Sequence, residues 1–194
     1  VLLNRLPETL RTVLVSVLIR RILAERAEAS NLQKHLKLSR SLSIHEREAM
    51  EQRISELIPP TIVAIDEAQN VLPSDRGTKA TQNIIKFVRE GRNHGLSFIF
   101  TTQQPSAIDA RILAQVDTLI GHKLTTAADV RRFEDNSKSR NPDSVQLAGR
   151  NLEFSEWLRT LDQGQAIVSN TEQERNFVVD FRPRISPHGG QGAS

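Results

Sequence analysis

The 194 residues contain no cysteine and no tyrosine, and only one tryptophan and one methionine. Without a thiol there is no disulfide scaffold, no cysteine nucleophile and no cysteine-ligated zinc; the absence fits a reducing compartment, and a cytoplasmic location is the expectation. Long hydrophobic runs are also missing. The longest, Val13 to Ile19, is closed by Arg20 and Arg21 and falls far short of the roughly 20 apolar residues that cross a bilayer, so no membrane association is expected. An excess of one charge is missing as well: 26 Lys and Arg face 23 Asp and Glu, a net +3, which by itself nominates no nucleic-acid partner. What remains is ordinary: 38% hydrophobic and 25% charged residues, a mixture that excludes disorder and can bury a core, in a length suited to one domain. Val1 is not an initiator methionine, and Val1-Leu-Leu before Asn-Arg-Leu-Pro reads as the end of a buried strand, so the chain is expected to begin in mid-domain.

Strand and helix patterns alternate along the sequence. Pro7 to about Arg26 reads as a helix with an apolar stripe of Leu10, Val13, Leu14, Val17, Leu18 and Ile22, widened by Val15, Ile19 and Leu23. Arg5, Arg11, Arg20 and Arg21 are left for its wetter edge. The charged stretch from Glu25 to about residue 58 predicts an exposed helical insertion, in which Ser43 and Glu46 have capping-box spacing and Pro59-Pro60 ends the second helix. Thr61 to Ile65 predicts a strand buried on both faces of a parallel sheet, Thr78 to about His94 a helix closed by Gly95, and Leu96 to Phe100 the next strand. A short helix over 106–114, a third buried strand from Val116 to Ile120 and a Thr126-capped helix to about Phe133 follow. Asp135 to Gly149 reads as loop and Leu152 to Leu161 as a helix facing inward through Phe154, Trp157 and Leu158. Gln165 to Val168 and Phe177 to Phe181, separated by a turn at Ser169-Asn170, read as closing strands, and 183–194 as a disordered tail. The alternation predicts an α/β fold: a mostly parallel sheet flanked by helices.

Ligands of open α/β sheets bind outside the carboxyl ends of the strands. Ile62 to Ile65 runs into Asp66 and Glu67, the form of a Walker B strand, in which the first carboxylate serves a magnesium ion and the second polarises a water. An ordinary strand ending in solvated acids has the same appearance. Thr101-Thr102-Gln103 ends the neighbouring strand; its amide can hydrogen-bond a γ-phosphate or orient a water, or simply satisfy loop backbone. Arg89-Glu-Gly-Arg92 closes a helix, where basic residues either complement the helix dipole or act as an arginine finger.

Taken in order, Ile65-Asp-Glu-Ala-Gln-Asn70, Arg89-Glu-Gly-Arg-Asn-His-Gly95, Thr101-Thr-Gln-Gln-Pro-Ser106, Ile108-Asp109 and Leu113-Ala-Gln115 resemble the carboxyl-terminal half of the HerA-type hexameric ATPases of the HerA/FtsK superfamily. The resemblance extends more loosely from the leading helix to Phe181-Arg-Pro183. It implies a RecA-like P-loop ATPase core over 1–182 and assigns roles by position. Asp66 resembles the magnesium-associated, nucleotide-binding aspartate, Glu67 the general base, Gln103 the γ-phosphate sensor and Arg92 the finger offered to a neighbouring subunit, with Arg89 as an accessory. ATP and Mg²⁺ are the implied cofactors; DNA, a homo-hexamer and a partner nuclease are the implied company. Gln69 stands where His is common, and Gln104 where Arg is common. No Gly-x-x-x-x-Gly-Lys-Ser/Thr loop occurs, so the β- and γ-phosphates lack a cradle and the expectation is a truncated chain, inactive alone. The implied activity is ATP-driven DNA translocation or unwinding. A secretion or conjugation motor, or a non-catalytic assembly or DNA-binding module, are the alternatives.

Overall fold

Helix α1 (Glu8–Leu38) runs unbroken through 31 residues, carrying the first apolar stripe and half of the charged stretch on one rod. The computed structural model describes residues 6–39, 41–75, 77–137, 145–147, 150–170, 175–183 and 185. The chain forms two compact units, Val1–Gln115 and Val116–Ser194. The expected strand end at 1–3, most of the loop after Asn136 and nearly all of the expected tail lie outside the described residues.

In the first unit, α1 docks along α3 (Lys79–Gly91), but through a different stripe from the one its apolar residues suggest. Thr12, Val15, Ser16, Ile19, Leu23, Arg26, Ala29 and Ser30 are buried, whereas Leu10, Val13, Val17 and Leu18 are exposed. A helix apolar on several faces does not announce which one docks. Here the buried line mixes branched residues with Thr, Ser and Ala, and such small side chains let helix axes approach closely. Helix α2 (Ile44–Glu56) buries no residue. Its Ser43 hydroxyl accepts from the Glu46 backbone N–H at 3.3 Å, and the Ser43 N–H donates to the Glu46 carboxylate at 2.9 Å. The Ser43 hydroxyl also donates to the Glu46 carboxylate at 2.7 Å, and this bond first, then the one from the Ser43 N–H, holds the Glu46 carboxyl below its ordinary pKa. An exposed Arg53–Glu28 ion pair at 2.8 Å joins α2 to α1.

Strands β1 (Thr61–Ile65) and β2 (Leu96–Phe100) pair in parallel, from Thr61 opposite Leu96 to Ile65 opposite Phe100. Between them, the Thr78 hydroxyl caps α3 by accepting from the Thr81 N–H at 3.1 Å. A 3-10 turn, Arg92–His94, follows the helix, and Gly95 reverses the chain in the left-handed region at φ 74°, where a Cβ would be strained. Ile65, Ala68, Leu72, Ile84, Ile108 and Ile112 form the centre of this unit's core, with Val63, Phe98 and Phe100 packed against it. The opposite face of the strand pair is open: Ile62 is 66% and Ile99 51% exposed. The expectation of burial on both faces is therefore corrected, because an apolar run records that a strand is buried but not how many layers cover it. The short helical stretch after β2 is a 3-10 turn, Pro105–Ala107, followed by α4 (Ala110–Leu113).

In the second unit, β3 (Thr118–Gly121) pairs antiparallel with the later strand β6 (Gln165–Asn170), which pairs antiparallel with β7 (Arg175–Asp180). The reading of residues 116–120 as a third buried strand is corrected: the strand is Thr118–Gly121, of which only Gly121 is buried, and its partner is antiparallel, because pairing direction is set by which strand arrives alongside and a β-branched run does not encode it. Ser169 and Asn170 belong to β6 and do not form the expected turn. Val145–Leu147 and Arg150–Leu152 form a further antiparallel pair, β4 and β5, inside the expected loop and at its end. Helix α5 (Ala127–Asn136) is capped by Thr126, and α6 (Phe154–Thr160) buries Phe154, Trp157 and Leu158 as anticipated. Val130, Phe133, Phe154, Trp157, Leu158, Leu161 and Ile167 make this unit's core.

Ile84 has no exposed surface and lies at the centre of the first unit's core. Ile84→Ala should cost about 2–5 kcal/mol in the denaturant unfolding of that unit; a loss below about 1 kcal/mol would contradict this packing.

Candidate functional site

The carboxyl ends of β1 and β2 stay joined beyond the strands themselves. Thr101 N–H donates to the Ile65 carbonyl at 3.0 Å and Ala68 N–H to the Thr101 carbonyl at 2.9 Å, so residues 66–69 and 101–104 leave the sheet side by side. Between these bonds the chain turns sharply at Glu67, whose φ of 49° and ψ of 52° are left-handed. Among the described residues it is the one non-glycine with positive φ. Such a conformation costs on the order of 1–3 kcal/mol and persists only where its surroundings enforce it. Here they do: Ala68 is completely buried beneath the turn, and Asn70 N–H returns to the Glu67 carbonyl at 2.9 Å.

The side chains of the two strand ends form one hydrogen-bonded cluster. Asp66 Oδ1 accepts from the Glu67 N–H at 3.0 Å and from the Thr101 hydroxyl, while its Oδ2 accepts nothing from the described residues. Both Glu67 oxygens are held by amides: Gln103 Nε2 donates to Oε1 at 3.0 Å, and Gln69 Nε2 to Oε2 at 2.6 Å. Gln69 Oε1 in turn accepts from the Thr102 hydroxyl at 2.6 Å, and Thr102 Oγ1 accepts from the Gln104 N–H at 2.9 Å. Asp66, Thr101 and Gln103 are exposed, and Glu67, Gln69 and Thr102 are half-buried.

The open oxygen of Asp66 and the adjacent Thr101 hydroxyl suit a hard cation that keeps most of its water, which is how magnesium binds. Among the described residues there is no group of three or more His, Asp or Glu side chains able to cage a metal, so a dehydrated all-protein site does not fit. Each carboxylate oxygen has two acceptor positions, so Glu67 can accept from a water while both amides remain in place.

The loops behind the cluster are pinned to each other. Asp109 N–H donates to the Leu72 carbonyl at 2.9 Å and Ser74 N–H to the Ala107 carbonyl at 2.8 Å. Buried Asp109 caps α4, accepting from the Arg111 N–H at 2.9 Å and from that residue's guanidinium at 2.7 and 3.0 Å.

Asp66, Glu67 and Gln103 thus converge. Arg89 and Arg92 do not join them. They lie in the last turn of α3 and in the 3-10 turn that precedes β2, at the amino end of a five-residue strand, about 16 Å along it from the cluster. The architecture around them explains the glycine of Arg-Glu-Gly-Arg. A Cβ on Gly91 would stand 3.0 Å from Leu96 Cβ and 3.1 Å from Phe98 Cε2, so glycine lets the helix end lie this close to β2 without displacing either side chain. Arg26 of α1, buried to 3% exposure, anchors the same turn by donating to the His94 carbonyl at 2.9 Å and to the Ile58 carbonyl at 2.8 Å. Neither the burial of Arg26 nor the linkage through Thr102 and Gln69 was legible beforehand. The only trace of the latter was the pairing of a Gln two residues after the acid with a Thr beside the second Gln.

A family model described as zonular occludens toxin (Zot) matches residues 19–137. Among curated proteins, a DNA double-strand break repair helicase HerA of Sulfurisphaera tokodaii is 30% identical over 109 residues, 56% of this chain and 20% of that protein. A probable helicase of Methanocaldococcus jannaschii is likewise 30% identical over 109 residues, 56% of this chain and 19% of the relative. The match thus spans about a fifth of these relatives. Among solved structures, the DNA-packaging ATPase B204 of Sulfolobus turreted icosahedral virus aligns with a TM-score of 0.51 and 15% identity over 75% of this chain and 65% of that one. The B204 packaging NTPase of Sulfolobus turreted icosahedral virus 2, in complex with AMPPCP, aligns at 0.50 and 17% over 73% and 61%. At such identities the likeness is one of fold.

Arg26→Met should destabilise the first unit by about 2–4 kcal/mol, since two carbonyls lose charge-assisted donors, and should speed amide exchange at residues 92–95. Unchanged exchange there would show that the turn holds itself.

Proposed function

The chain belongs to the zonular occludens toxin (Zot) family and has the fold of the HerA/FtsK-type P-loop ATPases, and from that premise we propose that it supplies the hydrolytic and inter-subunit half of a nucleotide site in a DNA-moving ATPase. The observation that carries the reading is the convergence of Asp66 and Glu67 at the end of β1 with Gln103 from the end of β2. Glu67 is the general base: its carboxylate, fixed between two amides, accepts a proton from the water that attacks the γ-phosphate of ATP. Asp66 offers its open oxygen to the water shell of Mg²⁺, which when bound supplies charge neutralisation at the phosphates. Gln103 has one amide hydrogen on Glu67 and a second available for a γ-phosphate oxygen or the attacking water. The phosphate cradle itself is not among these 194 residues.

Arg92 lies at the far end of β2 from this cluster, so a guanidinium there serves the nucleotide of a neighbouring subunit more readily than its own. That placement supports a ring, and a homo-hexamer is the form the family resemblance implies. DNA is the proposed cargo, held through its phosphates by loops lining the ring, with a nuclease as a working partner. Among the described residues no helix is long and apolar enough to cross a membrane.

In the full-length protein, Glu67→Gln should lower DNA-stimulated ATP hydrolysis by about 10²–10⁴-fold while nucleotide still binds; hydrolysis near the wild-type rate would remove Glu67 from the role of base. Arg92→Ala subunits mixed into wild-type rings should depress activity more than in proportion to their share. Strict proportionality would exclude a finger acting across subunits.

A further inference from the structure

We propose that Gln69 is a positioning residue for Glu67, its amide transmitting the orientation of the Thr102 hydroxyl at the end of β2 to the carboxylate at the end of β1. The inference rests on the reading of Glu67 as the base. Its ground is a relay whose direction is fixed at the Glu67 end, where an ionised carboxylate can only accept, so the amide nitrogen of Gln69 faces it and the amide oxygen is left to accept from Thr102. The Gln69 NH₂ group donates to Glu67 Oε2 at 2.6 Å. The Thr102 hydrogen goes to Gln69 Oε1 at 2.6 Å, and Thr102 Oγ1 accepts from the Gln104 N–H at 2.9 Å. No member can reverse its role without leaving a half-buried polar group unpaired.

Glu67 needs such a device because two amides hold it and one has a second task. Gln103 is exposed and bonded to the cluster through its nitrogen alone, whereas Gln69 is half-buried and has both its amide nitrogen and its amide oxygen bonded within the cluster. Whenever the Gln103 amide turns to nucleotide, Gln69 is the remaining constraint on a side chain that otherwise samples several rotamers. The chemistry required at position 69 is specific: one atom that accepts from Thr102 and another that donates to Glu67. A neutral histidine meets that requirement through its two ring nitrogens, one accepting and the other donating. Glutamate fails because it only accepts and repels Glu67, and methionine, of similar length, supplies neither bond.

The test uses the full-length protein with ATP. Gln69→Met and Gln69→Glu should lower kcat by about 10–100-fold, the scale on which a misplaced catalytic group is felt, with the KM for ATP within about two-fold of wild type. Gln69→His should restore most of kcat. Thr102→Val should also lower kcat, and the double variant Gln69→Met/Thr102→Val should be no slower than Gln69→Met alone, because both break one relay. A crystal structure of Gln69→Met without nucleotide should show Glu67 Oε2 displaced from its present place. Wild-type kcat in Gln69→Met, a loss equally deep in Gln69→His, or multiplicative losses in the double variant would each overturn the positioning role while an inactive Glu67→Gln leaves the base intact. An active Glu67→Gln would remove both.

Discussion

The parallel pairing of β1 with β2 is the constraint from which the site follows. Its register sets Ile65 opposite Phe100, and two further backbone bonds carry the pairing past the strands, to Thr101 and Ala68. Parallel strands end on the same side, so acids leaving one strand and amides leaving the other meet without any loop having to travel. A shift of one residue in that register would turn every strand side chain to the opposite face and separate Glu67 from Gln103. The left-handed turn at Glu67 is tolerable for the same reason: the ladder on one side and the buried Ala68 on the other leave the backbone little alternative.

The connecting helix explains why the basic residues lie elsewhere. After β1 the chain must return to the amino edge of the sheet before β2 can run parallel to it, and α3 makes that return. Its last turn, with Arg89, and the 3-10 turn that follows, with Arg92, are consequently at the edge opposite the acids. Gly91 permits close approach to β2, and Arg26 of α1 holds the turn from outside. A single crossover unit thus places the carboxylates at one edge and Arg89 and Arg92 at the other.

Much of this was readable in the residues. Asp66, Glu67 and Gln103 could be singled out because polar residues ending β-branched runs mark the ligand edge of an α/β sheet, and Thr126, Gly95 and the Ser43–Glu46 pair because capping chemistry is local. The docking face of α1 was misread because Leu10, Val13 and Val17 are as apolar as Val15, Ile19 and Leu23; periodicity measures amphipathicity and α1 has little. The open face of β1 and β2, with Ile62 and Ile99 exposed, and the antiparallel partner of β3 were unreadable for a related reason. Hydrophobicity reports a preference for burial, and the neighbour that satisfies it is chosen by the rest of the fold.

By itself, then, the order of residues determined most of the helices and strands, several of their caps, the acidic and amide strand ends and the lack of a phosphate-binding loop, all of which depend on side chains near one another in the chain. Only the tertiary structure decided that Gln69 spans from Thr102 to Glu67, that Arg26 is a buried anchor and that Arg92 lies at the opposite end of β2 from the acids. Each of those is a contact or separation between residues remote in sequence, set by strand register and helix docking, and no local pattern encodes such a distance.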